Sequence, residues 1–231
     1  MRVAIAGLQG RLGETLAAGV REARDMQLVG GLARRPRAPG EYATIAEVLE
    51  RLQPDVVLDC TRHPDTVAIA HAVIAAGTPL VIGATGWRDE EQRELAAAAE
   101  AARVGVVLAP NFAIGAVLAM HFARQAAHWF EKAEIIELHH EGKRDAPSGT
   151  AKLTASRISG VSGREVPIHS VRLPGLVAHQ EAIFGGRGEV LTLRHDSLGR
   201  ESFIAGALLA LRRVAGLRGL TVGLEGLLGL E

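Results

Sequence analysis

Short apolar runs alternating with helix-period segments constrain the first half of this chain most strongly. Residues 3–6 form the first run. Leu12, Leu16 and Val20 then recur every four residues as one face of a helix. Runs at 26–32, 56–59, 80–82 and 104–108 read as four more strands, and helices are expected over 65–76, stopped by Gly77, and over 89–102. Strands this short, alternating with helices, predict an α/β fold: an N-terminal doubly wound, mainly parallel Rossmann sheet.

The rhythm changes after Pro110. A helix is expected from about 115 to 130, then a strand at 133–138, a polar loop, and a helix starting near Ser148. Strand-like runs at 167–172, 178–184 and 189–195 then follow one another with little helix between them. That order predicts a second, α+β domain built on a mixed sheet. A last helix over 203–214 and the Gly/Leu-rich tail are expected to pack back on the first domain. The expected boundaries are therefore 1–110 plus about 204–231 for one domain, and about 111–203 for the other.

Composition narrows the classes of function. Lys plus Arg and Asp plus Glu both number 26, so no global charge draws the chain toward nucleic acid or an anionic membrane. Aromatic residues make up only 3%, which argues against stacking platforms for single-stranded nucleic acid. The single cysteine, Cys60, excludes an internal disulfide and a cysteine-rich zinc site, and its apolar surroundings predict a buried, inert thiol. The N-terminus reads as a strand and not as a signal peptide. The longest apolar stretch, 203–211, is about half the length needed to cross a bilayer. A cytoplasmic protein with no nucleic-acid or membrane partner is expected.

Gly7-Leu8-Gln9-Gly10-Arg11-Leu12-Gly13 lies between the first strand and the first helix. The G-x-x-G-x-x-G spacing is a variant of the dinucleotide fingerprint, in which bare backbone and a helix N-terminus receive a pyrophosphate. In chains that use NAD, an acid about 20 residues on, at the end of the second strand, binds the ribose 2′-hydroxyl. Here that strand ends Leu32-Ala33-Arg34-Arg35, and Asp25 lies before it, at the wrong end. Arg34 and Arg35 favour a 2′-phosphate, so NADPH is the expected cofactor, with NADH the alternative. Gly83-Ala84-Thr85-Gly86-Trp87 and Ala109-Pro110-Asn111-Phe112 follow strands four and five. Their small residues suit a nicotinamide and its ribose.

The segment from Glu137 to Thr150 reads Glu-Leu-His-His-Glu-Gly-Lys-Arg-Asp-Ala-Pro-Ser-Gly-Thr. His139 and His140 supply groups that titrate near neutrality, and Lys143 supplies a cationic donor. Ser148, Gly149 and Thr150 open a helix whose N–H groups and hydroxyls suit a carboxylate. Zinc binding is the rival reading. It is weakened because no cysteine is near and adjacent histidines on a strand point to opposite faces, so no metal is expected. A solvated loop is the other alternative.

These motifs together resemble the dihydrodipicolinate reductase family, also called 4-hydroxy-tetrahydrodipicolinate reductase. The likeness includes the Gly7-to-Gly13 loop, Asp59-Cys60-Thr61, the segments from Val81 to Trp87 and from Ala109 to Gly115, the His139-to-Thr150 segment, the segment from His169 to Glu181, and Leu193-Arg194-His195-Asp196-Ser197. The resemblance implies hydride transfer from NADPH or NADH to a small cyclic dicarboxylate heterocycle, in the diaminopimelate route to lysine. It places His139 as proton donor/acceptor and Lys143 as proton donor, with His140, Gly149 and Thr150 on the substrate. It places Gly7, Leu8, Gln9, Gly10, Arg11, Leu12, Gly83, Ala84, Thr85, Ala109, Pro110, Asn111 and Phe112 on the cofactor. It also implies a homotetramer formed through the sheet of the second, substrate-binding domain.

Ala84 stands where the family commonly has Thr, and Cys60 where it commonly has an aromatic. The stretch between Arg37 and Val56 is short, as if a peripheral element were trimmed. The rival readings are another two-domain dehydrogenase, such as an aspartate dehydrogenase, and a dinucleotide-sensing protein without turnover. Neither gives a reason to keep His139 and Lys143 together with the segment from Lys143 to Thr150.

Overall fold

The apolar runs pair side by side as parallel strands. A computed structural model describes residues 1–230. In chain order the elements are β1 (Arg2–Ala6), α1 (Arg11–Glu22), β2 (Gln27–Leu32), β3 (Glu41–Tyr42), α2 (Ile45–Leu52), β4 (Val56–Asp59), α3 (Asp65–Ala75), β5 (Leu80–Ile82), α4 (Asp89–Ala102) and β6 (Gly105–Leu108). There follow α5 (Ile114–Ala126), β7 (Lys132–His139), α6 (Gly149–Ser162), β8 (Ile168–Arg172), β9 (Ala178–Gly186), β10 (Glu189–Ser197), α7 (Ile204–Val214) and β11 (Gly219–Val222). The chain divides into two compact units. One comprises Met1–Phe112 with Phe203–Gly229, and the other Ala113–Ser202.

The first unit carries a seven-stranded sheet in the order β11-β6-β5-β4-β1-β2-β3. All its pairings are parallel. The winding reverses between β1 and β4, so the carboxyl ends of these two strands form the switch point where open α/β sheets take ligands. Every residue of β4, β5 and β6 is buried. Strands buried on both faces have no need to alternate polar and apolar residues, which is why these stretches read as plain apolar runs. Burying Leu58, Leu80 and Ile82 completely contributes about 1.5–3 kcal/mol per side chain.

Three elements of this unit are absent from the sequence expectation. Between Arg37 and Val56 lie the edge strand β3 and the helix α2. The helix starts in a capping box: Thr44 Oγ1 accepts the Glu47 N–H at 3.2 Å, and Glu47 accepts the Thr44 N–H at 3.1 Å. The tail beyond α7 forms β11, which adds to the sheet beside β6.

The second unit is a four-stranded mixed sheet in the order β10-β9-β7-β8, with β7 parallel to β8 and antiparallel to β9. One face packs on α5 and α6, where Ala123, Ala151, Ala155 and Ile158 meet Ile135, Ala182 and Phe184. Helix α5 ends at Ala126, short of the expected 130. The N–H groups of His128 and Trp129 turn to carbonyls three residues back, and Phe130 packs on Phe184 with ring centroids 5.8 Å apart.

Candidate active site

In the first unit the sequence-predicted cofactor residues all follow carboxyl ends of parallel strands. Gly7 follows β1, Gly83 follows β5 and Ala109 follows β6. The ladder continues past the strand ends and ties the loops together. Cys60 N–H donates to Ala6 O at 2.9 Å, Gly83 N–H to Asp59 O at 2.8 Å, and Ala109 N–H to Ile82 O at 2.8 Å. Gly7 holds φ +80°, and a Cβ on Gly13 would fall 2.2 Å from the Gly7 carbonyl oxygen. Both positions therefore require glycine, and the tight turn that results delivers the chain into α1. Gly10 caps α1 without a side-chain bond. The first-turn N–H groups have no intrahelical acceptor, and the dipole end favours an anion, so this cradle fits a phosphate group.

The other residues of this unit fall into two classes. Leu8, Ala84, Ala109 and Phe112 are buried, so their part in any contact is through backbone and packing. The Phe112 ring lies against Gly83, where an added Cβ would come within 2.6 Å of it, and this packs the loop after β6 onto the loop after β5. Arg34 and Arg35 are exposed just beyond β2. The Gln9 side chain is engaged within the protein: its amide donates to Arg35 O and to Glu41 Oε2, both at 2.8 Å. Cys60 is half-buried, short of the full burial expected, and burial together with the neighbouring Asp59 pushes its thiol pKa far up, which keeps it protonated.

In the second unit, strand register builds the polar site. Side chains alternate faces along a strand, so Ile135, Glu137 and His139 share one face of β7. Ile135 pairs with Ile168 and Ala182, Glu137 with Ser170 and Gln180, and His139 with Arg172 and Ala178. The helix-covered face is thus apolar at the Ile135 row and polar at the next two. Glu137 is fully buried. It accepts a two-pronged bond from Arg172, with Nη2 2.8 Å from Oε1 and Nη1 3.0 Å from Oε2, and it also accepts the Ser148 N–H at 3.3 Å. His139 Nδ1 pairs with the same carboxylate.

Arg172 also staples the polar loop. Its guanidinium donates to Asp145 O at 2.7 Å, Val171 O at 2.8 Å and Lys143 O at 3.4 Å. Lys143 Nζ donates to Asp145 Oδ1 at 2.9 Å. Ser148 caps α6, its hydroxyl accepting the Ala151 N–H at 3.2 Å. That leaves Gly149 and Thr150 in the first helical turn, with open space beside the Gly149 Cα. His140 is exposed past the end of β7, its ring beside Gly142. The two adjacent histidines therefore occupy different surroundings.

The charges of the pair follow from these contacts. Burial pushes the Glu137 carboxyl up, but hydrogen bonds from Arg172, Ser170 and His139 outweigh it and leave the pKa below the ordinary glutamate value. An ionised carboxylate only accepts, so the His139 Nδ1 carries the proton and a neutral ring presents a bare Nε2. Burial lowers the His139 pKa, and Lys143 and Arg172 lower it further against the pull of Glu137. The lowered Asp145 pKa has the Lys143 hydrogen bond as its main cause.

Sequence reasoning brought His139, His140, Lys143, Gly149 and Thr150 into one loop, and all five lie in the second unit around the end of β7 and the start of α6. It gave no role to Glu137 or Arg172. Glu137 carried a signal, because it lies two residues before His139 on a strand and so shares its face. Arg172 carried none, since its place depends on the pairing of β8 with β7. Among the described residues no trio of His, Cys, Asp or Glu forms a metal-ligand set, and no helix is long and apolar enough to cross a membrane.

Residues 1–112 match the family description "Dihydrodipicolinate reductase, N-terminus", and residues 115–228 match "Dihydrodipicolinate reductase, C-terminus". A 4-hydroxy-tetrahydrodipicolinate reductase of Mycolicibacterium smegmatis is 46% identical over 255 residues, covering 100% of both chains. One from Moorella thermoacetica is 40% identical, over 99% of this chain and 98% of its own. A solved structure, a dipicolinate-bound dihydrodipicolinate reductase from Paenisporosarcina sp. TG-14, superposes with a TM-score of 0.90 at 37% identity, covering 98% of each chain. Matched through both of its halves and at full length by these relatives, the chain belongs to the dihydrodipicolinate reductase family.

Proposed function

We propose that this chain reduces 4-hydroxy-tetrahydrodipicolinate to tetrahydrodipicolinate with NADPH or NADH, in the diaminopimelate route of lysine biosynthesis. The observation that carries this reading is the row of Glu137, His139 and Arg172 set beside the Lys143 loop and the start of α6. One hydride and one proton enter the substrate and one water leaves. A bound nicotinamide supplies the hydride, and the protein supplies the proton and holds the ring.

A substrate with two carboxylates needs local cations and N–H donors. Arg172 is committed to Glu137 and to three backbone carbonyls, so it is a positioning residue and not a ligand. The carboxylates fall instead to the N–H groups of Gly149 and Thr150, to the Thr150 hydroxyl and to His140. The Lys143 ammonium is the proton donor. His139, its Nδ1 held by Glu137, exchanges a proton through Nε2. Asp145 is the resting partner of Lys143 and must share it when a dianion arrives.

The first unit takes the dinucleotide through Gly7 to Leu12, Gly83 to Thr85 and Ala109 to Phe112. Arg34 favours the 2′-phosphate of NADPH. The second unit takes the substrate and forms a homotetramer, in the cytoplasm. The test is NADPH oxidation in the presence of freshly generated substrate, and a rate no higher than background sinks the proposal. His139→Gln and Lys143→Ala are expected to lower turnover by about 10²-fold, typical of general acid catalysis, while NADPH and dipicolinate binding persist. Near-normal turnover in both removes them from the mechanism.

A further inference from the structure

The second strand of a dinucleotide-binding sheet often ends in the acid that reads the ribose 2′-hydroxyl, and here β2 ends in Leu32 followed by Ala33, Arg34 and Arg35. The place is not without a carboxylate. The edge strand β3 lies parallel to β2, with Gly31 opposite Glu41 and Leu32 opposite Tyr42. Gly31 N–H donates to Gly40 O and Ala33 N–H to Tyr42 O, both at 2.9 Å, so β3 is fixed at the carboxyl end of β2. Glu41 Oε2 accepts the Gln9 amide at 2.8 Å and the Arg37 N–H at 2.7 Å. Gln9 belongs to the glycine loop, whose Gly7 and Leu8 N–H groups both donate to Leu32 O. The carboxylate is thereby tied to the phosphate loop on one side and to the Arg34–Arg37 turn on the other.

We propose that Glu41 is the residue that discriminates between the 2′-hydroxyl and the 2′-phosphate of the dinucleotide, supplied by the neighbouring edge strand where β2 itself has none. Both observed bonds fall on Oε2, which leaves the Oε1 lone pairs outside that network to accept a ribose hydroxyl. A phosphate at the same place, carrying a charge of about −1.5 to −2, would meet a fixed negative charge. Glu41 thus opposes the pull of Arg34 and Arg35, and the cofactor preference is a balance between residues of opposite sign. This inference rests on the dinucleotide reading of the first unit.

Its test is direct titration of NADPH and NADH into the full chain, without substrate, for the wild type, Glu41→Gln, Glu41→Ala and Arg34→Ala. Melting temperatures recorded beside the titrations confirm folding. Glu41→Gln keeps the size of the side chain and an oxygen for the Gln9 and Arg37 donors, but removes the charge. It is expected to shift the ratio of the two dissociation constants toward NADPH by about tenfold, the equivalent of 1.4 kcal/mol, and Arg34→Ala is expected to shift it the other way. A ratio unchanged within about twofold in both Glu41 variants overturns the proposal. So does equal weakening of both cofactors, which marks a loop support and not a discriminator. If the wild type prefers NADH while Glu41→Gln still moves the ratio, Glu41 stands and the Arg34 preference falls. If the wild type binds neither, both readings fall.

Discussion

Each unit holds a glutamate shared between a histidine and an arginine, and the two trios differ in what surrounds them. In the first unit Glu91 accepts His63 Nε2 at 3.0 Å and Arg88 Nη2 at 2.6 Å. Arg88 is three residues away in sequence, its side chain is 71% exposed, and the trio stitches the loop after β4 to the start of α4. In the second unit Glu137 is fully buried, and its arginine comes from another strand and is 18% exposed. The same three residue types therefore make a loop fastener in one place and a half-buried, oriented imidazole in the other. Both carboxylates are buried, and what separates the trios is how far the arginine has left water. A guanidinium that stays in water gains little from its pair, whereas one withdrawn with its carboxylate leaves each dependent on every partner it has.

The largest expected effect breaks the buried trio. Arg172→Leu leaves Glu137 buried with its principal partner gone and is expected to cost about 3–5 kcal/mol in urea denaturation. Adding Glu137→Met removes the stranded charge and should restore much of that loss. Turnover should stay low in the double variant, because nothing then fixes the His139 tautomer or the Lys143 loop. A double variant as unstable as Arg172→Leu alone would show that the arginine acts through packing and not through the carboxylate.

The same contrast explains how much of the molecule was legible in the sequence. Strands β4, β5 and β6 are buried on both faces, so they announce themselves as apolar runs and the parallel sheet follows. The strands of the mixed sheet were also visible, but their register was not. The pairing of His139 with Arg172 is set across residues far apart in sequence, and no local pattern encodes it. The two-residue strand β3 is too short to show any period, which hid Glu41 at the end of β2. Helix α2 is different. Thr44-Ile45-Ala46-Glu47 is a readable capping box, and the signal was present. The glycine loop and the His139-to-Thr150 segment were legible because each is local, one as a turn chemistry and the other as a run of titratable groups before a helix.

A smaller effect is expected at the trio whose arginine is exposed. The Arg88 hydrogen bond, with help from the Arg88 N–H and His63, holds the Glu91 pKa at about 2, against an ordinary value of 4.5. A carboxyl lowered on folding stabilises the folded state fully above its unfolded pKa and loses that contribution as pH falls through the folded one. Glu91→Gln should therefore melt below the wild type at pH 6, and the gap should close as pH drops from about 4.5 to about 2. A gap that persists unchanged at pH 2 would mean that Glu91 holds the loops by shape alone. Turnover should change less than in the Arg172→Leu/Glu137→Met variant, since the partners of Glu91, His63 and Arg88, both belong to the first unit.

The smallest effect is expected at His139, where folding favours the neutral ring while at Glu91 it favours the ionised carboxylate. Burial keeps His139 neutral, and Lys143 and Arg172 add to it, so its folded pKa lies below the ordinary 6.5 despite the attraction of Glu137. Below about pH 6.5 the unfolded ring takes up a proton that the folded ring refuses until a lower pH, so stability falls as pH drops through that window. His139→Gln removes the linkage, and its melting temperature should decline less than that of the wild type between pH 7 and 5. Arg172→Leu takes away one of the positive charges facing the ring, so the His139 proton resonance in that variant should titrate at higher pH than in the wild type. A ring that titrates at the same pH in both would leave burial and Lys143 as the causes, and the guanidinium would then act on His139 only through the position of Glu137.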